Sequence, residues 1–123
     1  IMKKIDIKQI TLKDLFSTDF FARTGILLEG VSIFRKKTFS EILGFKAHTL
    51  FWYGIKDLTH TQKVRFNYIL AGRNGMKGII EDLHGQRIVS GAIKIPIEHS
   101  LEFEEILKRN NVKYERKDFL EAI

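Results

Sequence analysis

The chain has no cysteine and one proline among its 123 residues. Disulfides, thiolate zinc sites and cysteine nucleophiles are therefore excluded. The same absence fits a cytoplasmic protein, which is the expected location. There is no low-complexity tract and no Pro-rich or Gly/Ser-rich linker. One domain over residues 1–123 is the reading this supports. No apolar run approaches the roughly 20 residues of a membrane-spanning helix. The opening IMKKIDIKQI alternates apolar and polar residues and lacks the h-region of a signal peptide. No membrane partner is expected.

Catalytic motifs are missing as well. There is no HExxH, P-loop, GxGxxG or GxSxG. His48, His60, His84 and His99 show no i, i+4 metal spacing. Glu81-Asp82 and Glu104-Glu105 are adjacent pairs, and neighbours on a helix do not face each other. An acid-acid-Lys nuclease built on Asp82 and Lys94 would need a carboxylate where Ala92 stands. Only Glu98-His99 beside Asp82 or His84 remains, and it depends on the fold. No catalytic residue, metal ligand or cofactor is expected.

What the chain does have is basic charge, unevenly spread. The net charge is +6, from 21 Lys+Arg against 15 Asp+Glu. Residues 58–80 hold four basic side chains and no carboxylate, while residues 81–123 carry an acidic excess. A positive field concentrated in the first two thirds points to a polyanionic partner.

The expected fold class is α+β: a compact domain, helical in its N-terminal and middle part, with a C-terminal strand-helix-strand unit. Ile5 and Ile7 alternate in KKIDIKQ and predict a strand over 3–9. Thr11 caps a short helix, LKDLF. Residues 18–34 are apolar nearly all round, and GILLEGVSIF fits a buried strand or a buried helix. Thr38-Phe39-Ser40-Glu41 is a capping box opening a helix over FSEILGF. After Gly44, apolar residues at 51, 55 and 58 recur at helical spacing. Helix, Gly turn and second helix outline a helix-turn-helix, with Lys46, His48, Thr49 and Trp52 toward the DNA major groove. A helical hairpin, or an aromatic strand HTLFWYGI, fits the same residues. RIVSGAIKIPI (87–97) predicts one strand, with a bulge or close packing at Gly91. Ser100 caps the helix LEFEEILKRN, and VKYERKDFL predicts the last strand.

The acid-free stretch TQKVRFNYILAGRNGMKG (61–78) holds Lys63, Arg65, Arg73 and Lys77. Its alternation favours a strand. Its flanks favour a helix: Thr59-x-x-Gln62 is a capping box and Gly72 a C′ residue. MKGIIEDLH would then be a second helix. Gly72-Arg73-Asn74-Gly75 between them is similar to the GxxG loop with which KH domains grip single-stranded nucleic acid. That resemblance covers little more than residues 69–88. The alternative is a plain turn, with Asn74-Gly75 tolerating positive φ.

The function expected from these features is nucleic-acid binding, to DNA or RNA, through backbone contacts. The expected contacts are Arg35, Lys36, Lys37, Lys63, Arg65, Gly72, Arg73, Asn74, Gly75 and Lys77. Trp52, Tyr53 or Tyr68 would stack on bases. The alternative is a non-catalytic protein–protein or oligomerisation module, with Phe20, Phe21, Phe51 and Trp52 as contact surface. A homo-oligomer is the expected form in that case.

Overall fold

Phe45–Gly54 is rich in aromatic and β-branched residues, and it forms the central strand, β3. Alternation along it places Phe51 against Phe103, ring centroids 4.9 Å apart, and Tyr53 against Phe66 at 5.5 Å. Lys46, His48, Leu50 and Trp52 take the opposite face, as the period of two requires. The computed structural model describes residues 7–123.

Before β3 come α1 (Leu12–Leu15), α2 (Arg23–Glu29), β1 (Val31–Ser32), β2 (Lys37–Thr38) and α3 (Phe39–Ile42). After it come α4 (His60–Ala71), β4 (Gly72–Arg73), β5 (Met76–Lys77) and α5 (Ile79–Asp82). Then follow β6 (Gln86–Val89), β7 (Ala92–Pro96), a 3-10 turn (Ile97–His99), α6 (Ser100–Arg109) and β8 (Lys113–Ala122). The main sheet is antiparallel, in the order β6-β7-β3-β8. Because β7 and β8 both run antiparallel to β3, they are parallel to each other. Helix α6 carries the chain between them past β3, a split β-α-β unit. The C-terminal strand-helix-strand expectation is met in this form.

The mixed α+β class is borne out. The core lies between the sheet and the two long helices α4 and α6. Phe51, Phe66, Leu70, Ile93, Ile95, Phe103 and Leu107 are fully buried there. Burying side chains of this size contributes roughly 1.5–3 kcal/mol each. On β8 the helix-facing side carries Tyr114, packed on the core, and beyond it a polar pair. Arg116 donates to Glu104 of α6 and to Asp118, and Asp118 accepts from the Thr49 hydroxyl at 2.6 Å. Thr49 is completely buried, so these bonds satisfy its hydroxyl.

Several sequence expectations are corrected. There is no helix-turn-helix at 38–58. Thr38 does cap α3, accepting from the Glu41 N–H at 3.3 Å. Gly44 then takes φ +86 and the chain enters β3 instead of a second helix. Packing of Phe51 and Tyr53 against α6 and α4 outweighed the helical spacing of residues 51, 55 and 58. Lys46, His48, Thr49 and Trp52 consequently do not share a face, and His48 and Thr49 are buried. Residues 87–97 form two strands joined at Ser90-Gly91, where Gly91 takes φ +84. In α6, Ser100 is the first helical residue and its hydroxyl donates to the Ile97 carbonyl at 2.8 Å. The strand expected at 3–9 falls mostly outside the described residues, and 7–9 has no regular structure. Among the described residues no helix is long and apolar enough to cross a membrane.

Candidate nucleic-acid interface

Residues 60–71 are helical, so the flanking signals decided against the strand-like alternation. Thr59 and Gln62 make the reciprocal capping box, at 3.2 and 2.9 Å. Phe66 and Leu70, one turn apart, point into the core. The apolar residues left over by that choice stay outside: Val64 is 37% and Tyr68 43% exposed. They flank Arg65 on the outer face of α4.

The GRNG segment does lie between two helices, α4 and α5, but it is a hairpin turn and not an open loop. Gly72 pairs with Lys77 and Arg73 with Met76, giving the two-residue strands β4 and β5. Asn74 (φ 54) and Gly75 (φ 79) form the turn, with the two positive φ values of type I′. Helix α5 starts only at Ile79, because Met76 and Lys77 are taken up by the hairpin. The resemblance to a GxxG phosphate loop therefore ends at the letters. The outer glycines have a structural reason. A Cβ on Gly72 would lie 2.1 Å from the Met76 carbonyl oxygen, and one on Gly78 2.1 Å from that of Leu70. Only glycine lets the chain cross back so closely.

This hairpin fixes Arg73. Its guanidinium carbon lies 4.6 Å from the centroid of the Tyr68 ring, a cation–π contact. Arg65, Tyr68 and Arg73 line one shallow groove together with His60, Val64 and Ile69. Its volume is about 600 Å³, and no carboxylate lines it. Around the helix end, Arg65 also borders a smaller cleft with Arg109 of α6.

The other expected contacts do not join this groove. Lys63 sits two residues before Arg65, about 200° round the helix, and is half-buried. Lys77 reaches Glu81 at 3.9 Å, an exposed pair of small energetic weight. Arg35, Lys36 and Lys37 occupy the turn and first residue after it in the β1–β2 hairpin, which leads into α3. Sequence reasoning did not single out His60, Val64 or Arg109. The i, i+4 spacing from His60 through Val64 to Tyr68 would have marked the first two, once the helix was chosen.

A rival surface is the sheet face away from α4 and α6. Trp52 is 41% exposed there. Its surroundings carry both signs of charge, because Lys94 binds Glu121 at 2.8 Å and Glu115 stands opposite Trp52. Below that ion pair His48 is buried and stacks on Phe119 at 5.7 Å. Burial, and next the nearby Lys94 charge, hold His48 below the usual histidine range. Its Nδ1 has no hydrogen-bond partner. Tyr53, by contrast, packs into the helix side and accepts a bond from Arg87 at 3.2 Å.

The fold does bring His84 and His99 together, ring centroids 6.1 Å apart, with Glu102 3.8 Å from His99. Among the described residues no group of three or more such side chains is placed to hold a metal. Comparison of the chain with protein-family models, curated proteins and solved structures finds no match.

Proposed function

We propose that the protein is a small nucleic-acid-binding domain that grips its polyanion through the outer face of α4 and the β4–β5 hairpin. The observation that carries this is the groove in which Arg65, Tyr68 and Arg73 converge without any carboxylate. Arg65 and Arg73 supply the charge, and Asn74 at the exposed hairpin tip adds a hydrogen-bonding side chain. Gly72 and Gly75 act by shaping the hairpin. Lys63 and Lys77 contribute to the long-range field, and Arg35, Lys36 and Lys37 make a weaker second contact.

Binding of this kind depends steeply on salt. Each phosphate neutralised contributes a slope of about −0.7 to −0.9 in log affinity against log salt. Fluorescence anisotropy with labelled DNA and RNA, titrated at rising salt, tests it. The reading fails if no single- or double-stranded nucleic acid binds at low salt. It fails equally if polyglutamate competes as well as the oligonucleotide does.

A second reading, an association surface, has its own observation. Phe21 and Phe34 are essentially fully exposed, and Phe16 and Ile33 are more than four-fifths exposed. Exposed aromatic residues at this density mark contact surfaces. Phe51, named for this role from sequence, is buried in the core and is excluded from it.

A further inference from the structure

We infer that the α4 groove seats an unstacked nucleobase, so that the nucleic acid it selects is single-stranded. The inference rests on the nucleic-acid reading above and adds to it the class of substrate. Phosphate contacts alone need only cations. A hydrated phosphate gains nothing from the apolar side chains of Val64 and Ile69 or from the ring of Tyr68, yet these line the groove between Arg65 and Arg73. A base face does gain from them. The bases of a duplex have their faces covered by stacking, whereas a single strand offers them.

The position of Arg73 strengthens the argument. It is held over Tyr68 by a hairpin whose backbone closes within van der Waals distance at Gly72 and Gly78. A guanidinium so placed is a second flat surface beside the ring. It serves for stacking and for the adjoining phosphate at once. Arg65 lies on the same groove, within the helix turn before Tyr68, and is placed for the neighbouring phosphate. The groove, at about 600 Å³, is in the size range of sites that accept small organic groups. The rival sheet face has Trp52, but a carboxylate, that of Glu115, stands directly opposite it, whereas none lines the α4 groove.

The test compares a fluorescein-labelled oligothymidylate with a duplex of equal length at the same low salt. Wild type is measured beside Tyr68→Leu, Tyr68→Phe and Arg65→Ala. The single strand should bind at least about tenfold more tightly than the duplex. Y68L should weaken single-strand binding by roughly five- to 150-fold, the range for loss of one base–aromatic stack. It should leave duplex binding nearly unchanged, while Y68F keeps single-strand binding and R65A weakens both. Equal affinity for the two nucleic acids would overturn the inference and leave the nucleic-acid reading standing. So would an equal loss in Y68L for both, or a loss in Y68F as large as in Y68L. Absence of binding to either form would overturn the reading itself.

Discussion

Residues 45–122 and residues 7–44 use apolar side chains in opposite ways. In the first region Phe51, Phe66 and Phe103 are completely buried between sheet and helices. In the second, Ser40 is the one fully buried residue among those described, while Phe16, Phe21, Ile33 and Phe34 face outward. The composition of the two regions does not differ enough to explain this. Architecture does. A four-stranded sheet with two long helices on one face encloses a core. Helices of four to seven residues and a two-residue hairpin cannot enclose one. The aromatic residues of region 7–44 are therefore available for contact, and those of the sheet region are not.

The largest effect should come from the core. Phe103→Ala should lose about 3–5 kcal/mol in urea unfolding, whereas Phe34→Ala should stay within about 0.5 kcal/mol. A comparable loss at Phe34 would show that region 7–44 has a core of its own and erase the contrast. Next come the glycines of the GRNG hairpin. Gly72→Ala places a Cβ against a carbonyl oxygen at positive φ and should cost about 2–3 kcal/mol. Gly75→Ala, at positive φ but with open space, should cost less. A calorimetric melting temperature unchanged in Gly72→Ala would contradict the tight closure that holds Arg73.

Acid stability sharpens the same comparison, because among the described residues the shifted groups all lie in the sheet region. His48 titrates below its ordinary 6.5 in the folded protein. Its contribution is complete above that value and is lost as pH falls through the lowered folded value. Glu104 is held below 4.5, first by the hydrogen bond from Arg116. Its contribution is complete above 4.5 and is lost as pH falls below it. Unfolding free energy measured against pH should therefore decline in two stages, and Glu104→Gln should flatten only the lower one. A single decline, or one altered throughout by Glu104→Gln, would break the assignment. The smallest effect on stability, though not on behaviour, belongs to Phe21→Ser with Phe34→Ser. Folding should be unchanged, and any concentration-dependent self-association seen by light scattering should fall.

Much of this was legible in the sequence at short range. The caps at Thr11, Thr38 and Thr59 form where their side chains indicated. The amphipathic stripe of α6 also reads correctly, with Phe103 and Leu107 buried. The errors arose where long-range packing decides. The spacing of Phe51, Ile55 and Leu58 suits a helix, yet Phe51 and Tyr53 have partners on two different helices and so lie on a strand. In α4 the converse happened. Val64 and Tyr68 look like one face of a strand, but they are the exposed side of a helix whose buried side is Phe66 and Leu70. The pairing of Arg73 with Tyr68 was invisible because it depends on how the chain leaves α4 at Gly72, which takes φ +85 and sets Arg73 beside the last helical turn. The letters GxxG suggested a phosphate loop for the same positions.

The central claim is that the groove, and not basic composition, holds the nucleic acid. The most direct measurement is the low-salt affinity for a single-stranded oligonucleotide in two charge-matched variants, Arg65→Ala with Arg73→Ala and Lys36→Ala with Lys37→Ala. Each removes two positive charges from exposed positions. The groove variant should lose most of the affinity and flatten the salt dependence by about 1.4, two phosphates at roughly 0.7 each. The hairpin variant should lose only a minor part. Equal losses in the two would contradict the account and leave charge alone as the basis of binding.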